Sequence, residues 1–359
     1  MTEIRAAVCH EFGKPLSIET VHLRKPGQGE VEVTLAACAI CHSDITYIDG
    51  GWGGDLPAVC GHEAAGHVTG LGPGVESYAK GDPVIVTLIR SCGHCAPCAA
   101  GRPTLCATPP GADPVLTLRD GRPVSQGLDC AAFAEMVVVP ASQLAAIPAT
   151  IPFASAALIA CGGITGIGAA VNTANIRPGE IVVVIGAGGV GLTAIQGARL
   201  AGAARIIAVD MNEAKLAAAR EFGATDGILA TVEKPWAAAR KIAGRGADAV
   251  LVTVGAIQAY DTATRYLAFG GRLVAVGMPH SGARSAWEPV IFAAAGHRIA
   301  GSKMGDTVLA RDIPWITDLY GQGRLKLDEL VSGRWTLDEI NEAIADTKTG
   351  TARRNVILF

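Results

Sequence analysis

The chain has 359 residues, of which 50% are hydrophobic and 18% are charged, and its formal net charge is -3. This length is enough for two domains with full hydrophobic cores. The near-neutral charge excludes a strongly basic surface for nucleic acid and a polybasic membrane patch, so we expect neither nucleic-acid nor membrane partners.

The first part of the chain predicts short β-strands separated by glycine and proline turns. Apolar and β-branched stretches lie at Glu30–Ala37, Gly66–Gly72, Pro83–Ile89 and Ala134–Pro140. Turn signals such as Gly81-Asp82-Pro83 stand between them. Together these features are typical of a β-rich, barrel-like domain.

A lobe at about residues 91–107 interrupts this domain and carries Cys92, Cys95, Cys98 and Cys106. Two-residue spacers let paired sulfurs reach one ion, and four protein ligands complete a tetrahedral Zn²⁺ site. The spacing therefore predicts a structural zinc, with two disulfides or an iron–sulfur cluster as the alternatives. Because ten cysteines follow an N-terminal sequence without an apolar signal segment, we expect a reducing, cytoplasmic location.

The stretch from Met136 to Ile176 contains no charged residue and resembles a membrane span by hydropathy alone. Prolines interrupt its first half and glycines its second, whereas a spanning helix needs about 20 mostly apolar residues in a continuous run. The sequence favours a buried helix between two domains over a membrane helix.

After Arg177-Pro178-Gly179 the pattern changes to fully apolar runs that alternate with helical segments. Such runs lie at Ile181–Ile185, Arg205–Asp210, Ala249–Val254 and Arg272–Val276. Strands that are apolar throughout and alternate with helices predict a parallel sheet covered on both faces. The remainder of the chain predicts a helix at residues 312–321 and a terminal strand at residues 355–359.

A glycine-rich motif directly follows the first of these strands and opens a helix; its residues are Gly186, Ala187, Gly188, Gly189, Val190 and Gly191. Glycines at these positions allow a tight turn, close approach of a pyrophosphate and close helix–strand packing. Asp210 ends the next strand, where a carboxylate binds ribose hydroxyls and repels a 2′-phosphate. The motif predicts a dinucleotide site that prefers NAD to NADP.

Residues of metal-binding type also occur outside the four-cysteine lobe, in Cys41–Asp44, Gly61–Glu63 and Cys161–Gly163. Each is ordinary alone, because a buried cysteine is usually a small hydrophobic residue and a lone histidine is usually part of a core. Two cysteines and one histidine together match a catalytic zinc site with an open fourth position.

With these motifs in this order, the chain resembles the zinc-dependent medium-chain alcohol dehydrogenase family from end to end. The resemblance includes the G-H-E-x-x-G signature at Gly61–Gly66, the cysteine lobe, the later cysteine and the nucleotide motif, in that order. It implies an α/β protein with a GroES-like catalytic domain at residues 1–162 and 302–359. A Rossmann domain with a doubly wound parallel sheet is implied at residues 163–301.

The resemblance also implies roles for single residues, two zinc ions per chain, and hydride transfer from an alcohol to NAD. The implied ligands of the catalytic zinc are Cys41, His62 and Cys161. In the family Glu63 sits behind the metal, Asp44 orients the His62 imidazole, and Ser43 hydrogen-bonds the substrate oxygen. Further implied cofactor contacts are His42, Lys215 and Arg354.

Some positions depart from the family. Many relatives end a proton relay in a histidine where this chain has Thr46, which leaves water, Tyr47 or solvent for the proton. Trp52, with Leu88 and Met278, stands at expected pocket positions and favours a primary alcohol with an apolar or aromatic body.

Two alternatives stay open: a dehydrogenase of thiol–formaldehyde adducts, and a nucleotide-binding protein with inert metal sites. A zinc-free reductase of the same superfamily fits less well, because such reductases lack the Cys41/His62/Cys161 set. The resemblance further implies a homodimer or homotetramer joined at the sheet edge near Ile299–Gly301.

Overall fold

The computed structural model describes residues 1–111 and 113–359. The strands are β1 (Thr2–Cys9), β2 (Ser17–Leu23), β3 (Glu30–Ala39), β4 (Ala58–Val59), β5 (Glu63–Leu71), β6 (Pro83–Thr87), β7 (Leu116–Leu118), β8 (Pro123–Gln126), β9 (Met136–Pro140), β10 (Leu144–Ala146), β11 (Ile181–Ile185), β12 (Arg205–Asp210), β13 (Asp226–Leu229), β14 (Ala247–Val252), β15 (Leu267–Ala275), β16 (Arg298–Gly301), β17 (Val331–Thr336) and β18 (Arg354–Leu358). The α-helices are α1 (His42–Ile48), α2 (Ala96–Ala99), α3 (Phe153–Leu158), α4 (Ile164–Gly168), α5 (Gly189–Leu200), α6 (Glu213–Glu221), α7 (Pro235–Ala243), α8 (Ile257–Ala263), α9 (Pro289–Ala295), α10 (Leu309–Gly321) and α11 (Ile340–Thr349).

The backbone divides into two units. The first comprises Met1–Cys161 and Val308–Phe359, and the second comprises Gly162–Thr307. The second boundary falls six residues later than the sequence-based domain limit at 302. Residues 302–307 belong to the second unit because Thr173 Oγ1 lies 2.7 Å from Ser302 Oγ and donates to Asp306 Oδ2 at 2.6 Å.

The first unit is built on β-structure, as its alternating sequence predicts. Strands β1, β2, β7, β8 and β4 close a barrel, and a seven-stranded sheet has the order β10-β6-β5-β3-β18-β17, with β9 also paired to β3. Along Glu30–Ala39, buried positions alternate with partly exposed ones in the first part of the strand. Because of this alternation, one face of the strand packs in the hydrophobic core of the unit.

The second unit contains a six-stranded sheet of order β13-β12-β11-β14-β15-β16. All neighbouring pairs in it are parallel. Strand β11 is buried at every position, which accounts for its continuous apolar run. The order of the strands along the sheet reverses between β11 and β14, which lie side by side, so the predicted doubly wound fold is confirmed.

The apolar segment of the sequence forms a helical run from Phe153 to Thr173. Length and composition alone would let it cross a membrane, but 89% of its most apolar window is buried inside the protein. The run is therefore a core helix, as the sequence predicts. Its two π-helical stretches are Ile159–Gly163 and Ala169–Thr173.

Candidate active site

Four buried side chains of the first unit meet at one point: Cys41, His62, Glu63 and Cys161. One ligand atom from each of them lies within 4.8 Å of every other. The four come from the start of α1, from the start of β5 and from the π-helical stretch Ile159–Gly163. This donor set, with two sulfurs and one imidazole, suits Zn²⁺.

The N-terminus of α1 orients the cluster. Cys41 is the N-cap residue, and Asp44 at the third helical position reaches back so that its Oδ2 accepts a hydrogen bond from Cys41 N at 3.1 Å. Asp44 Oδ1 accepts from His62 Nδ1 at 2.8 Å and from Gly61 N at 2.9 Å. Asp44 is fully buried, so these three bonds fix both ligand-bearing segments with respect to each other.

The Asp44 bond also fixes which nitrogen of His62 faces the cluster. With the proton on Nδ1, Nε2 presents its lone pair. His62 Nε2 is buried and has no hydrogen-bond partner among the described residues. A buried polar atom without a partner costs free energy, and a metal ion at this point satisfies it. The site therefore fits a metal on its own geometry.

Gly61 explains why the chain can bring His62 this close. It has φ of +91°, and a Cβ there would lie 2.5 Å from the backbone nitrogen of Phe133. Only glycine fits such a close approach in this conformation. The glycine of the G-H-E motif is thus required by packing.

The two sulfurs shift each other's pKa in opposite directions. Cys161 donates to Cys41 and, with His62, holds the pKa of Cys41 well below its ordinary value. That same bond and burial raise the pKa of Cys161. A metal bound by both sulfurs displaces the remaining proton, because thiolates are the ligands.

Glu63 and Arg354 form a buried hydrogen-bonded pair beside the cluster. Arg354 Nη1 donates to Glu63 Oε1 at 3.2 Å and to Ile40 O at 3.4 Å. Burial raises the pKa of Glu63 to about 8, although the Arg354 guanidinium acts in the opposite direction. Burial is the larger effect because the Glu63 side chain is fully buried. Arg354 thus contacts Glu63 in the first unit, and its predicted contact with a cofactor pyrophosphate stays a prediction.

Other residues singled out from the sequence lie on α1. They are not part of the cluster of Cys41, His62, Glu63 and Cys161. Ser43 is half-buried and His42 is exposed. Thr46 Oγ1 donates to His42 O at 2.8 Å, so its hydroxyl serves the helix backbone. Tyr47 Oη donates to Asp55 O at 3.2 Å, and burial raises the pKa of Tyr47.

The three predicted pocket residues do not fall in one unit. Trp52 and Leu88 are half-buried in the first unit, where Leu88 packs against the core. Met278 belongs to the second unit and is 62% exposed. Their part in a substrate pocket stays a prediction.

The four cysteines of the lobe form a second group: Cys92, Cys95, Cys98 and Cys106 have their sulfurs within 4.8 Å of one another. Cys95 Sγ lies 3.9 Å from Cys106 Sγ. A disulfide needs about 2.05 Å, whereas tetrahedral Zn²⁺ with Zn–S of about 2.3 Å separates its sulfurs by about 3.8 Å. Among the described residues, none of the ten cysteines forms a disulfide. The lobe therefore fits a structural zinc.

The glycine motif of the second unit leaves room for a phosphate. Gly186 has φ of +96°, and a Cβ on Gly191 would lie 1.8 Å from Gly186 O. A Cβ on Gly188, the N-cap residue of α5, would meet nothing within 4 Å. The first and third positions are thus fixed by protein packing, and the middle one borders open space at a helix N-terminus.

Asp210 lies next to this motif, as the strand order requires. Its Oδ2 accepts from Ala187 N at 2.8 Å and its Oδ1 accepts from Asn212 N at 3.1 Å. Lys215 lies in α6 and is half-buried. The fit to a dinucleotide with a free ribose 2′-hydroxyl rests on this carboxylate.

Thr253, which was not predicted from the sequence, supports the same motif. Thr253 Oγ1 is within hydrogen-bond distance of Gly186 O at 2.8 Å and Ile185 O at 3.1 Å. Its position directly after β14, beside β11 in the sheet, was the available signal, because ligand sites collect at the carboxyl ends of parallel strands.

A β-barrel unit with a three-ligand metal group and a four-cysteine lobe, joined in one chain to a dinucleotide-type sheet, defines a zinc-binding dehydrogenase. Two family models match accordingly: the alcohol dehydrogenase GroES-like domain at residues 27–149 and the zinc-binding dehydrogenase model at residues 189–320. The chain belongs to the zinc-dependent medium-chain alcohol dehydrogenase family and is an oxidoreductase.

Individual relatives span the whole chain. An NDMA-dependent alcohol dehydrogenase of Amycolatopsis methanolica is 34% identical and is aligned over 99% of this chain and 98% of its own length. An S-(hydroxymethyl)glutathione dehydrogenase of Paracoccus denitrificans is 33% identical over 99% of both chains. The crystal structure of benzyl alcohol dehydrogenase from Acinetobacter calcoaceticus matches with a TM-score of 0.93 at 30% identity over 100% of both chains.

Proposed function

We propose that this chain is a zinc- and NAD-dependent alcohol dehydrogenase that interconverts primary alcohols and aldehydes by hydride transfer. The convergence of Cys41, His62 and Cys161 carries the proposal, because three protein ligands leave a fourth position for substrate. Zinc held there supplies Lewis-acid polarisation of the substrate oxygen. A second zinc in the cysteine lobe is proposed to be structural.

The residues around α1 bind and deprotonate the alcohol in this proposal. Ser43 hydrogen-bonds the substrate hydroxyl and relays its proton by passing its own hydroxyl proton to water, and Asp44 keeps His62 in the tautomer that the metal needs. Thr46 cannot serve as a base near neutral pH. The contact of Tyr47 with Asp55 O occupies its hydroxyl, so we propose release of the proton to water.

The second unit is proposed to bind NAD through Gly186, Gly188, Gly189, Val190 and Gly191. Open space at Gly188 supports a pyrophosphate at the start of α5. The Asp210 carboxylate supports NAD over NADP, because it repels a 2′-phosphate. We propose further cofactor contacts for His42, Lys215 and Arg354.

For the substrate we propose a primary alcohol with an apolar or aromatic body. The indole of Trp52 and the side chains of Leu88 and Met278 support this class, and benzyl alcohol dehydrogenase from Acinetobacter calcoaceticus is a structural relative. A second candidate is an S-hydroxymethyl thiol, which the relative from Paracoccus denitrificans supports. A third candidate is a nucleotide-binding protein with inert metal sites. In that case we expect zinc in the cysteine lobe alone.

One set of assays separates these candidates. The purified enzyme is given linear, branched and aromatic alcohols with NAD, with and without added NDMA because one relative is NDMA-dependent. Formaldehyde is tested with and without glutathione in parallel. Turnover of aromatic or apolar alcohols supports the proposal, whereas activity that requires the thiol supports the second candidate. No turnover together with one zinc per chain would support the inert protein.

We also propose a cytoplasmic homodimer or homotetramer. Within the described part of the chain, strand β16 pairs with β15 alone, so its other edge offers unpaired backbone groups. Val290, Ile291 and Ile299 are exposed apolar residues near this edge in sequence. Joining two such edges would cover them, and light scattering of the purified protein measures the subunit number. The lack of disulfides among the described cysteines supports a reducing compartment.

A further inference from the structure

The segment Gly127–Ala131 of the first unit adopts an unusual backbone conformation. Leu128, Asp129 and Ala131 have φ of +53°, +60° and +62°. Left-handed conformation is unfavourable for residues with a Cβ, and for leucine and alanine no side-chain hydrogen bond offsets it. Such a conformation persists only where surrounding contacts impose it, and this occurs most often near functional sites.

Two glutamine side chains impose it here. Gln143 Nε2 donates to Asp129 O at 3.0 Å and to Thr87 O at 2.8 Å, and it lies 3.5 Å from Cys130 Sγ. Gln126 Nε2 donates to Cys130 O at 3.3 Å and to Val138 O at 3.1 Å. Gln143 is fully buried. Each amide thus joins a carbonyl of the left-handed segment to a fixed carbonyl elsewhere in the unit.

The residues that directly follow the segment are hydrogen-bonded to the backbone that precedes His62. Ala132 N donates to Gly61 O at 2.9 Å and Phe133 N donates to Cys60 O at 2.8 Å. Gly61 is hydrogen-bonded to Asp44 and precedes His62. Residues Gly127–Asp129 also pack against α1.

Thr87, the other anchor of Gln143, pairs with Glu63 in the sheet. The two glutamines therefore connect to the cluster from two directions. One route runs through the left-handed segment to Gly61, and the other runs through β6 to Glu63.

We propose that Gln126 and Gln143 are positioning residues for the catalytic metal group. By holding the carbonyls of Cys130 and Asp129 they keep the segment against Gly61 and α1, and so fix Asp44 and His62. Without them the segment relaxes toward extended backbone, and the ligands lose their mutual alignment. This inference rests on the proposed function for its kinetic consequence, but its structural consequence is measurable without turnover.

The test replaces Gln143 by leucine, which has a similar size and no donor. Gln143→Leu is expected to speed hydrogen exchange of the Ala132 and Phe133 amides and to shift the visible spectrum of the cobalt-substituted enzyme. It is also expected to lower kcat/KM for alcohol by about 10- to 100-fold, since a small misplacement near the chemistry costs this much. The KM for NAD should stay within about two-fold, because the nucleotide motif lies in the other unit.

Gln126→Leu provides a second variant at a half-buried position, and it is expected to change all three readouts in the same direction. Gln322→Leu is the matched control, because Gln322 Nε2 bonds Asp318 on the exposed end of α10. If Gln143→Leu does not fold, Gln126→Leu decides the question.

A variant that loses thermal stability but keeps the wild-type cobalt spectrum and kinetic constants would overturn the proposal, since the glutamines would then be structural alone. Failure of the proposed function appears differently, as absence of turnover in the wild type. In that case the cobalt spectrum and hydrogen exchange still decide whether the glutamines position the metal group.

Discussion

Replacing Asp44 by asparagine is the change whose effect the structure defines best. The carboxylate accepts three hydrogen bonds, from His62 Nδ1, Gly61 N and Cys41 N. An asparagine oxygen can keep the first two, but its NH₂ group faces the Cys41 N–H, so one bond to a charged acceptor is lost. Such a bond contributes about 1.5–3 kcal/mol. A loss of about 2 kcal/mol corresponds to about 30-fold weaker zinc binding.

The assay is chelator competition, with zinc per chain measured by atomic spectrometry. Asp44→Asn is expected to lose one zinc at chelator concentrations that leave the wild type with two, and to retain the lobe zinc. Asp82→Asn is the control, because Asp82 accepts a hydrogen bond from Ala79 N in an exposed turn. Wild-type zinc affinity together with an unchanged kcat/KM in Asp44→Asn would refute the role given to this carboxylate.

Three further predictions follow from the same structure. Gly188→Ala is expected to fold normally, because its Cβ enters open space, but to weaken NAD binding at least about 10-fold. Calorimetric titration with NAD measures the affinity, and an unchanged affinity would exclude a phosphate at Gly188. Arg354→Leu is expected to lower the free energy of unfolding by about 2 kcal/mol, because the buried Glu63 carboxyl group loses its hydrogen-bond donor. Urea denaturation measures the effect, and exposed Arg334→Leu on β17 should change it by less than about 0.5 kcal/mol. Alcohol oxidation is expected to rise steeply with pH, because Thr46 replaces a relay histidine, and a flat rate between about pH 6 and 9 would contradict this.

The sequence predicted the second unit well because its signals are local. Continuous apolar runs marked β11 and β12 at their observed bounds. The run at Ala249–Val254 was placed two residues late relative to β14, since Thr253 leaves the strand to bond the glycine motif. Periodicity reports burial, and here burial and strand extent nearly coincide except in β15. The predicted run Arg272–Val276 omits the first five residues of that strand, where Phe269 and Gly270 are exposed.

The barrel of the first unit was predicted less completely. β3, β6 and β9 carry enough alternation or apolar character to be recognised, but β4 is two residues long and β7 is three. Strands this short are fixed by pairing with distant segments, which a local pattern does not record. A barrel-like domain was predicted from the sequence, whereas its short strands β4 and β7 could be identified only in the structure.

The candidate site, too, could be predicted only in part from the sequence. The cysteine lobe and the glycine motif are contiguous, so spacing alone predicted their chemistry. The grouping of Cys41, His62 and Cys161 came from the family resemblance, because 120 positions of chain separate its first and last members. The hydrogen bonds of Gln143 could not be predicted, since a buried amide in an apolar stretch gives no sign of which carbonyl it bonds. Thr253 could have been singled out, because it lies at the carboxyl end of a predicted parallel strand.

The most direct test of the whole account is metal analysis of Cys161→Ser beside the wild type. The account predicts two zinc ions per chain in the wild type and one in the variant, with alcohol oxidation abolished and NAD affinity retained. A variant that keeps two zinc ions and wild-type turnover would show that Cys41, His62 and Cys161 do not hold the catalytic metal.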